Sequence, residues 1–429
     1  MTTRHSILAA LLTSAAFVST AVSADPIHLR MTTLAGNVNT ATQAVVAEWN
    51  KAHPDIQVDV EVQADEVNWQ RTAPSTMFAA ADGPDLSWWW CTPSNQYQDM
   101  IAAGLLTPLD DVFQKDAYPD GMVRYFTEPD GHVYGINNAV VTTPWVYYNK
   151  DEFAKLGLQP PKTWDELYAI ADKVRADGMQ PLATLYDFGA VSHLFIGVEV
   201  GELSNAEYQA LTVNWKKDAS ADAAKVKWTD PDGVNIFKRL KDIVDHKVLT
   251  DGFAGLTDAE VAKSLFTSGK AAMFQSGSWD VNSVTDAAKF NVGIFTYPTA
   301  NPDHYGIVAS WLPNCFIAFN RAHAAEAKQV IQYFTSKEGQ FVWSKAGGDT
   351  PGRTDIPSDQ LSQIVRPLTL DMLGQVKDGG APALMDASTP PSIGIDARTI
   401  VGMLLTGQYT PEQAAQAMQD SYDKVKTGN

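Results

Sequence analysis

Apolar and polar positions in the N-terminal part of the chain alternate between strand-like and helix-like spacing. The pattern predicts a first strand and a glycine-containing loop at 26–36, a helix with Asn39 as its N-cap, and a second strand at 56–63. A third predicted strand, at 84–90, ends on three consecutive tryptophans. Strands and helices in this order predict a mainly parallel sheet with helices on both faces, and in such sheets ligands bind beyond the carboxyl ends of the strands.

The best specified helix of the sequence begins after Thr163. Thr163 and Glu166 have the spacing of a capping box, and Pro160 and Pro161 disfavour helix upstream of them. Gly178 stands where a helix-terminating glycine is expected. These signals predict both ends of this helix.

Residues 1–24 predict a secretory signal. A basic start at Arg4 and His5 precedes an apolar run, and Val22 and Ala24 occupy positions −3 and −1 of the expected cut. The alternative, a membrane anchor, needs about 20 apolar residues, whereas serines and threonines interrupt this run. No cysteine stands at the cut, so we expect a secreted, periplasmic protein without a lipid anchor.

The composition narrows the choice of partners. A chain of 429 residues is too long for one hydrophobic core, which predicts two domains. Its 50 acidic and 32 basic side chains give a formal net charge of −18, which disfavours nucleic acid and anionic membrane surfaces. The 12 tryptophans indicate a small ligand that has apolar faces or is cationic.

The two cysteines, Cys91 and Cys315, can form one bridge or remain two buried thiols, and the residues alone favour neither.

Sequence motifs of catalysis are not found. There is no His-Glu-x-x-His, Gly-x-Ser-x-Gly or Cys-x-x-Cys, the eight histidines are scattered, and no phosphate-binding glycine loop follows a predicted strand. We therefore expect no enzyme activity, no cofactor and no bound metal. The rival from another class is a secreted glycoside-cleaving enzyme, but nothing marks the pair of carboxylates about 5 to 9.5 Å apart that it needs.

Tryptophans at predicted loop–strand junctions are the candidates for ligand contact. Trp145, Trp279 and Trp311 occupy such places, and indole faces suit the C–H faces of sugar rings or a cation. Asp187 follows an apolar, strand-like run and can bind sugar hydroxyls or an ammonium group, with an N-cap as the alternative. Arg353 can clamp a ligand hydroxyl or form an ion pair, and the sequence does not favour either role.

Several longer stretches occur in a characteristic order. They are AAADGPDLSWW at 79–89, AAGLLTPLDD at 102–111, DGHVYGI at 130–136, YYNKDEFAKLGLQPPKTWDEL at 147–167 and FTSGKAAMFQSGSWD at 266–280. Together they resemble the family-1 solute-binding proteins of ABC importers, the group that contains maltose- and other sugar-binding proteins. The similarity extends from about residue 27 to residue 353 in the order of that family.

This resemblance implies an α/β fold of two lobes, each a mainly parallel sheet flanked by helices, joined by a hinge that the chain crosses more than once. The expected N-terminal lobe is 25–138 with 313–334, and the expected C-terminal lobe is 139–312 with 335–429. Ligand binds between the lobes, which close around it because it contacts both. The closed form delivers the ligand to the membrane permease.

The resemblance also implies site residues. Trp89 and Trp279 match positions at which relatives contact sugar, and Trp145 and Trp311 match segments that face the cleft. Of the tryptophan triplet, one is expected in the core and one or two, Trp89 and Trp90, in the site.

Two further expectations follow from the same resemblance. In the first loop Asn37 stands where relatives often have an aromatic or acidic residue, so the particular sugar is not implied. In this fold the strand that returns to the first lobe pairs beside the third strand, which brings Cys91 near Cys315. A disulfide between them is therefore a hypothesis, which a Cα separation above ~7 Å would exclude.

The implied function is capture of a mono- to trisaccharide by a monomeric periplasmic protein for the permease subunits of an ABC importer. A second interpretation in the same fold is capture of a quaternary ammonium or other organic cation in an aromatic cage with Asp187. A cage predicts three or more rings around one point, whereas a sugar site predicts one or two stacking faces rimmed by polar side chains.

Overall fold

A computed structural model describes most of the chain. The described residues are 25–64, 68–69, 72–91, 95–118, 120–184, 186, 188–203, 205–213, 226–300, 304–311, 314–376 and 391–427. The predicted signal at 1–24 lies outside them. Within these ranges no helix combines the length and the apolar character that crossing a membrane requires.

The strands are short and are distributed along the whole chain. They are β1 (Ile27–Leu34), β2 (Ile56–Gln63), β3 (Leu86–Trp90), β4 (Gly135–Asn137), β5 (Ala139–Thr143), β6 (Trp145–Asn149), β7 (Gln180–Ala183), β8 (Ala271–Ser276), β9 (Val292–Phe295), β10 (Ala309–Trp311), β11 (Asn314–Ala318) and β12 (Thr350–Pro351).

Helices separate most of these strands. They are α1 (Asn37–Ala52), α2 (Asn95–Ala102), α3 (Asp120–Phe126), α4 (Lys150–Lys155), α5 (Trp164–Ala176), α6 (Phe188–Glu202), α7 (Asn205–Tyr208), α8 (Pro231–Asp245), α9 (Ala259–Thr267), α10 (Val281–Ala287), α11 (Ala324–Phe334), α12 (Lys337–Gly347), α13 (Ser358–Ile364), α14 (Pro367–Gln375), α15 (Pro391–Leu405) and α16 (Pro411–Thr427). One-turn 3₁₀ helices lie at Lys115–Ala117, Phe253–Gly255 and Ser278–Asp280.

The first lobe is built on a sheet with the strand order β2-β1-β3-β11-β4. Strand β1 pairs parallel with β2 and β3, so the carboxyl ends of these strands lie at one edge of the sheet. Strand β11, more than 200 residues further along the chain, inserts antiparallel between β3 and β4. The chain thus returns to the first sheet through β11, beside β3.

The second lobe is built on a sheet with the order β7-β8-β6-β9. Only the β7–β8 pair is parallel among the described strands of this sheet, because β6 runs antiparallel to both β8 and β9. The two-lobed α/β architecture is confirmed, but the expectation of mainly parallel sheets needs correction. Strands that enter a sheet directly after a crossing, such as β6 and β11, run against their neighbours.

A third, small sheet connects the two lobes. Its central strand β5 pairs antiparallel with β10 on one side and β12 on the other. Strand β5 follows β4 of the first sheet and precedes β6 of the second, and β10 precedes β11. The chain thus passes between the lobes through this sheet, which we call the linking sheet.

Each lobe has its own apolar core. One cluster gathers side chains of the first sheet with helices α1, α11 and α12, and two others gather side chains of the second sheet with its helices. Helix α12 packs on α1, and its Trp343 contacts Phe316 of β11. The backbone N–H of Thr354 donates to the carbonyl of Ala117 in the same lobe. Residues 337–354 therefore contact the first lobe, although the sequence placed the start of the second lobe at residue 335.

The two helix starts singled out from the sequence have different outcomes. The capping box is confirmed, because Thr163 Oγ1 accepts from Glu166 N and Glu166 Oε2 accepts from Thr163 N, and Gly178 follows the helix with φ +87°. The prediction for α1 was wrong by three residues, because its N-cap is Gly36 and Asn39 lies within the first turn. Gly36 has φ +82°, a conformation that favours glycine and lets the chain turn into the helix early.

Candidate functional site

The lobes meet where the loop after β8 contacts the first residue of α1. The Asn37 side-chain N–H donates to the carbonyl oxygen of Trp279 over 3.2 Å. Asn37 follows the carboxyl end of β1 and Trp279 follows the carboxyl end of β8, so the ligand-binding edges of both sheets face each other. We call this region (residues 36–37, 277–282 and 346–349) the junction.

The loop that carries Trp279 is fixed by bonds to neighbouring strands. The Tyr147 hydroxyl donates to the Gly277 carbonyl over 2.6 Å, and the Thr142 backbone N–H donates to Ser278 Oγ over 3.0 Å. A Cβ atom at Gly277 would lie 2.1 Å from the Trp279 ring, so only glycine leaves space for the indole in this position. The loop therefore presents the indole with a defined orientation.

Trp279 keeps part of its surface exposed, unlike the other predicted tryptophans whose side chains are described. Its ring lies 5.3 Å from that of His193 on α6, at an interplanar angle of 51°. Trp89, Trp90 and Trp145 are 1%, 5% and 0% exposed. Trp279 is thus the one of these four tryptophans that keeps solvent-exposed surface at the junction.

The tryptophan triplet lies in the core of the first lobe. The rings of Trp88 and Trp90 are 4.7 Å apart, and Trp89 packs 4.9 Å from Phe78. Trp69 packs against all three rings, which makes one continuous aromatic cluster. This packing accounts for the indoles in β3 without a ligand, and it gives no separate support to a binding role for Trp89 or Trp90.

Arg353 has local partners. Its guanidinium donates two hydrogen bonds to the Asp355 carboxylate, at 2.9 and 2.8 Å, and others to Gln114 Oε1 and the Thr335 carbonyl. It also lies over the ring of Tyr118. Of the two roles that the sequence left open, the contacts favour the ion pair.

The remaining predicted site residues lie outside the junction or outside the described residues. The Trp145 indole N–H donates to Thr142 Oγ1 over 2.9 Å inside the second lobe's core. Trp311 belongs to β10, but its side chain lies outside the described residues, as does Asp187 entirely. Cys91 and Cys315 form a disulfide with a Cα separation of 5.8 Å, which ties β3 to β11.

Sequence reasoning missed a second contact between the lobes. The Asn282 side-chain N–H donates to the carbonyl of Ala346 over 3.3 Å, while its Oδ1 accepts from Arg366 Nε over 3.2 Å. Gly348, with φ +94°, packs against this amide, where a Cβ would lie 2.8 Å from Asn282 Cγ. No local pattern marks Asn282, since its role depends on residues far apart in the chain.

Two carboxylates, also missed, approach each other from opposite lobes at the junction. Asp280 accepts from Ser276 Oγ, Ser283 Oγ and Lys263 Nζ. Asp349 is 1% exposed, and its Oδ2 accepts from the Trp343 indole N–H over 3.2 Å. Asp349 Oδ1 has no partner among the described residues. Burial raises the pKa of Asp349 to about 6, and the negative charge of Asp280 contributes to the rise.

The raised pKa of Asp349 predicts a pH-dependent stability. The native state holds this proton more tightly than an unfolded chain, whose carboxyl has its ordinary pKa of 3.8, so Asp349 lowers the unfolding free energy as pH rises from about 4 to about 6. At pH 8 the full cost is about 3 kcal/mol. In Asp349→Asn this loss is absent, so the free energy of unfolding of the variant relative to wild type should rise by up to about 3 kcal/mol between pH 4 and pH 8. Urea titrations at both pH values measure it, and a difference that stays constant with pH would contradict the assignment.

No group of three or more metal-binding side chains occurs within the part of the chain that the structure describes. The polar groups at the junction are instead amides, carboxylates and a histidine beside a partly exposed indole. Such a set can stack against a ring and hydrogen-bond to hydroxyl groups.

Comparisons with known proteins all match this chain to solute-binding proteins. A family model described as bacterial extracellular solute-binding protein matches residues 35–341. The sn-glycerol-3-phosphate-binding periplasmic protein of Brucella abortus (strain 2308) is 31% identical over 211 residues, which make up 46% of this chain and 45% of that protein. The multiple sugar-binding protein of Streptococcus mutans serotype c is 24% identical over 253 residues, 55% of this chain and 56% of that protein. The chain thus matches about half the length of these curated relatives.

Solved structures extend the similarity over nearly the whole chain. A chitin oligosaccharide binding protein superposes with a TM-score of 0.77 at 24% identity, and the match covers 94% of this chain and 100% of that one. At this level of identity the likeness establishes the fold.

Proposed function

Because the chain belongs to the bacterial extracellular solute-binding proteins, we propose that it captures a mono- to trisaccharide between its lobes and delivers it to the permease of an ABC importer. The observation that carries the proposal is the direct Asn37–Trp279 hydrogen bond between the lobes, beside an indole face that is still partly exposed. A ligand placed there touches both lobes, and so it stabilises their closed arrangement.

The junction suits a sugar better than an aromatic cage. The described residues place one tryptophan face and one histidine ring there, rimmed by amide and carboxylate groups. One or two stacking faces with hydrogen-bonding side chains around them are what a saccharide requires, whereas a quaternary ammonium cage requires three or more rings around one point. Two relatives are named for binding sn-glycerol 3-phosphate and multiple sugars, and these compounds carry hydroxyl groups.

The proposal also covers where the protein is located and how the chain is divided between the two lobes. We propose a monomeric periplasmic protein that is exported by the signal at 1–24 and performs no catalysis. The lobes hinge at the linking sheet. The first crossing lies near residue 138 and the second near residue 312. We propose the third crossing between residues 355 and 367 rather than near 335, which is supported by contacts of residues 337–354 with the first lobe and of Leu368 with the second.

A thermal-shift screen of the mature protein tests this function. Neutral sugars from mono- to trisaccharides, polyols, and betaine-like cations are added one at a time. A ligand that binds only the native state raises the melting temperature with the logarithm of its excess over Kd. A large shift with a saccharide supports the proposal. A shift only with quaternary ammonium compounds, or no shift with any saccharide, rejects it.

Asn37→Ala is expected to weaken the binding of that saccharide about tenfold, since one contact between the lobes is lost. The melting temperature without ligand should stay nearly unchanged, because Asn37 lies at a helix end outside the core. Titration calorimetry measures the affinity. Asn39→Ala, two residues along the same helix, is the matched control and should bind like wild type. Equal affinities of all three proteins would remove Asn37 from the site.

A further inference from the structure

Three basic side chains around the junction, Lys263, Arg353 and Arg366, are already ion-paired, and Lys345 of α12 is exposed to solvent. Lys263 Nζ lies 3.2 Å from Asp280 and 2.8 Å from Glu260. Arg353 pairs with Asp355, and Arg366 pairs with Asp286 and hydrogen-bonds to Asn282. None of the three ion-paired cations is left to neutralise an incoming anion.

The acidic side chains of the junction are in excess. Asp280 shares Lys263 with Glu260, and Asp349 has no cationic partner among the described residues. The other titratable group that faces both carboxylates is the buried phenol of Tyr147 on β6, whose pKa is raised by burial and by the two acids. A phenol with a raised pKa is neutral, so it does not offset their charge. Asp349 reaches the junction from the first lobe and Asp280 from the second, so closure concentrates negative charge beside Trp279.

We propose that Asp349 is a specificity-determining residue that, with Asp280, makes the junction select uncharged or positively charged carbohydrates and exclude anionic ones. The inference rests on the proposed function for the site, and it names the class of saccharide that the site accepts. Whether the site accepts anionic ligands matters for this chain, because one curated relative is named for binding a phosphate ester.

The physical argument is a charge balance. A phosphate monoester brings about two negative charges and needs a cation or several N–H donors in return. At an effective dielectric constant of about 20, a carboxylate within several ångströms of an anion opposes binding by more than one order of magnitude in affinity. A neutral sugar meets no such penalty, because it carries no charge for the carboxylates to repel.

The first test compares wild type with Asp349→Asn at pH 7.5. The probes are maltose and N,N′-diacetylchitobiose as neutral ligands, deacetylated chitobiose as a cation, and sn-glycerol 3-phosphate and glucose 6-sulfate as anions. Asparagine keeps an oxygen for the Trp343 N–H, so the packing of the site is retained. We expect no measurable anion binding by wild type at 10 mM, and a gain of about tenfold or more in affinity for both anions in the variant.

A second measurement tests the inference even if the Asp349→Asn protein does not fold. The affinity of wild type for glucose 6-sulfate is measured from pH 7.5 to pH 5.0, a range in which the sulfate ester keeps its charge. Protonation of Asp349 removes one opposing charge, so binding that is not measurable at pH 7.5 should become measurable towards pH 5.0. The His193 ring beside Trp279 can also take up a proton over this range, so the rise in a folded Asp349→Asn protein should be smaller than in wild type, and equal rises would overturn the inference.

The outcomes separate this inference from the proposed function. Anion binding by wild type at pH 7.5 as tight as that of any neutral sugar overturns the inference. So does an affinity for anions that neither the substitution nor acid pH improves. If anions gain affinity as expected but no saccharide binds, the charge selection stands and the proposed carbohydrate function fails. If saccharides bind and the anions do not respond, the function stands and Asp349 has no role in specificity.

Discussion

Trp279→Ala is expected to weaken saccharide binding at least thirtyfold while leaving the fold intact. The indole is the partly exposed aromatic face at the junction, and its backbone carbonyl joins the two lobes through Asn37. Tryptophans in such central positions commonly contribute about 2 kcal/mol or more to binding. The side chain is only partly buried, so its removal leaves no cavity in a core. Calorimetric titration of the saccharide identified by the screen measures the effect.

Trp279→Phe is the matched control for that experiment. Phenylalanine keeps a stacking face but loses area, so its affinity should lie between those of alanine and wild type, within about tenfold of wild type. Unfolding curves of all three proteins should agree within about 1 kcal/mol. Wild-type affinity in the alanine variant would show that the ligand binds elsewhere.

Removal of the disulfide is expected to cause the largest loss of stability. The bridge joins Cys91 to Cys315 across 224 residues of sequence. Opening so long a loop increases the freedom of the unfolded chain, and losses of about 2 to 4 kcal/mol are typical. The Cys91→Ala/Cys315→Ala protein should therefore unfold at clearly lower urea concentration than oxidised wild type. Wild type kept in a reducing agent should approach the variant, and equal stability of all three proteins would contradict the prediction.

Gly135 provides an internal check on the position of this bridge. A Cβ atom at this residue of β4 would lie 2.3 Å from Cys91 Sγ and 3.0 Å from Cys315 Sγ. Gly135→Ala should thus cost about 1 to 3 kcal/mol in oxidised wild type. The same substitution should cost less in the background without cysteines, where the sulfur atoms are gone. Equal costs in the two backgrounds would show that the sulfur atoms do not occupy this space.

Local signals in the sequence predicted local structure well. The capping box at Thr163 and the alternation at 56–63 depend on neighbours within a few residues, and both appear as expected. The start of α1 was misplaced because asparagine is a good N-cap by type, whereas the actual N-cap is Gly36, whose positive φ depends on the path of the loop. The order of the motifs predicted the two lobes correctly.

The candidate site was harder to predict because it is assembled from distant segments. Trp279 is marked by its position at a loop–strand junction, a signal that it shares with Trp145 and Trp311. The residue type alone could not distinguish it from Trp89 and Trp145, which the tertiary packing buries. Asp349 and Asn282 carry no local signal at all, since their partners Trp343 and Ala346 matter only once α12 packs beside the linking sheet.

Hydrogen–deuterium exchange with and without the saccharide tests the central claim most directly. Capture between the lobes predicts that backbone amides around residues 36–38 of the first lobe and around 277–283 of the second become protected together when ligand is added. Amides of helix α16, which packs on α15 and α8 of the second lobe, should not change. Protection confined to one lobe, or no protection by any saccharide of the screen, would contradict capture of a carbohydrate between the two lobes.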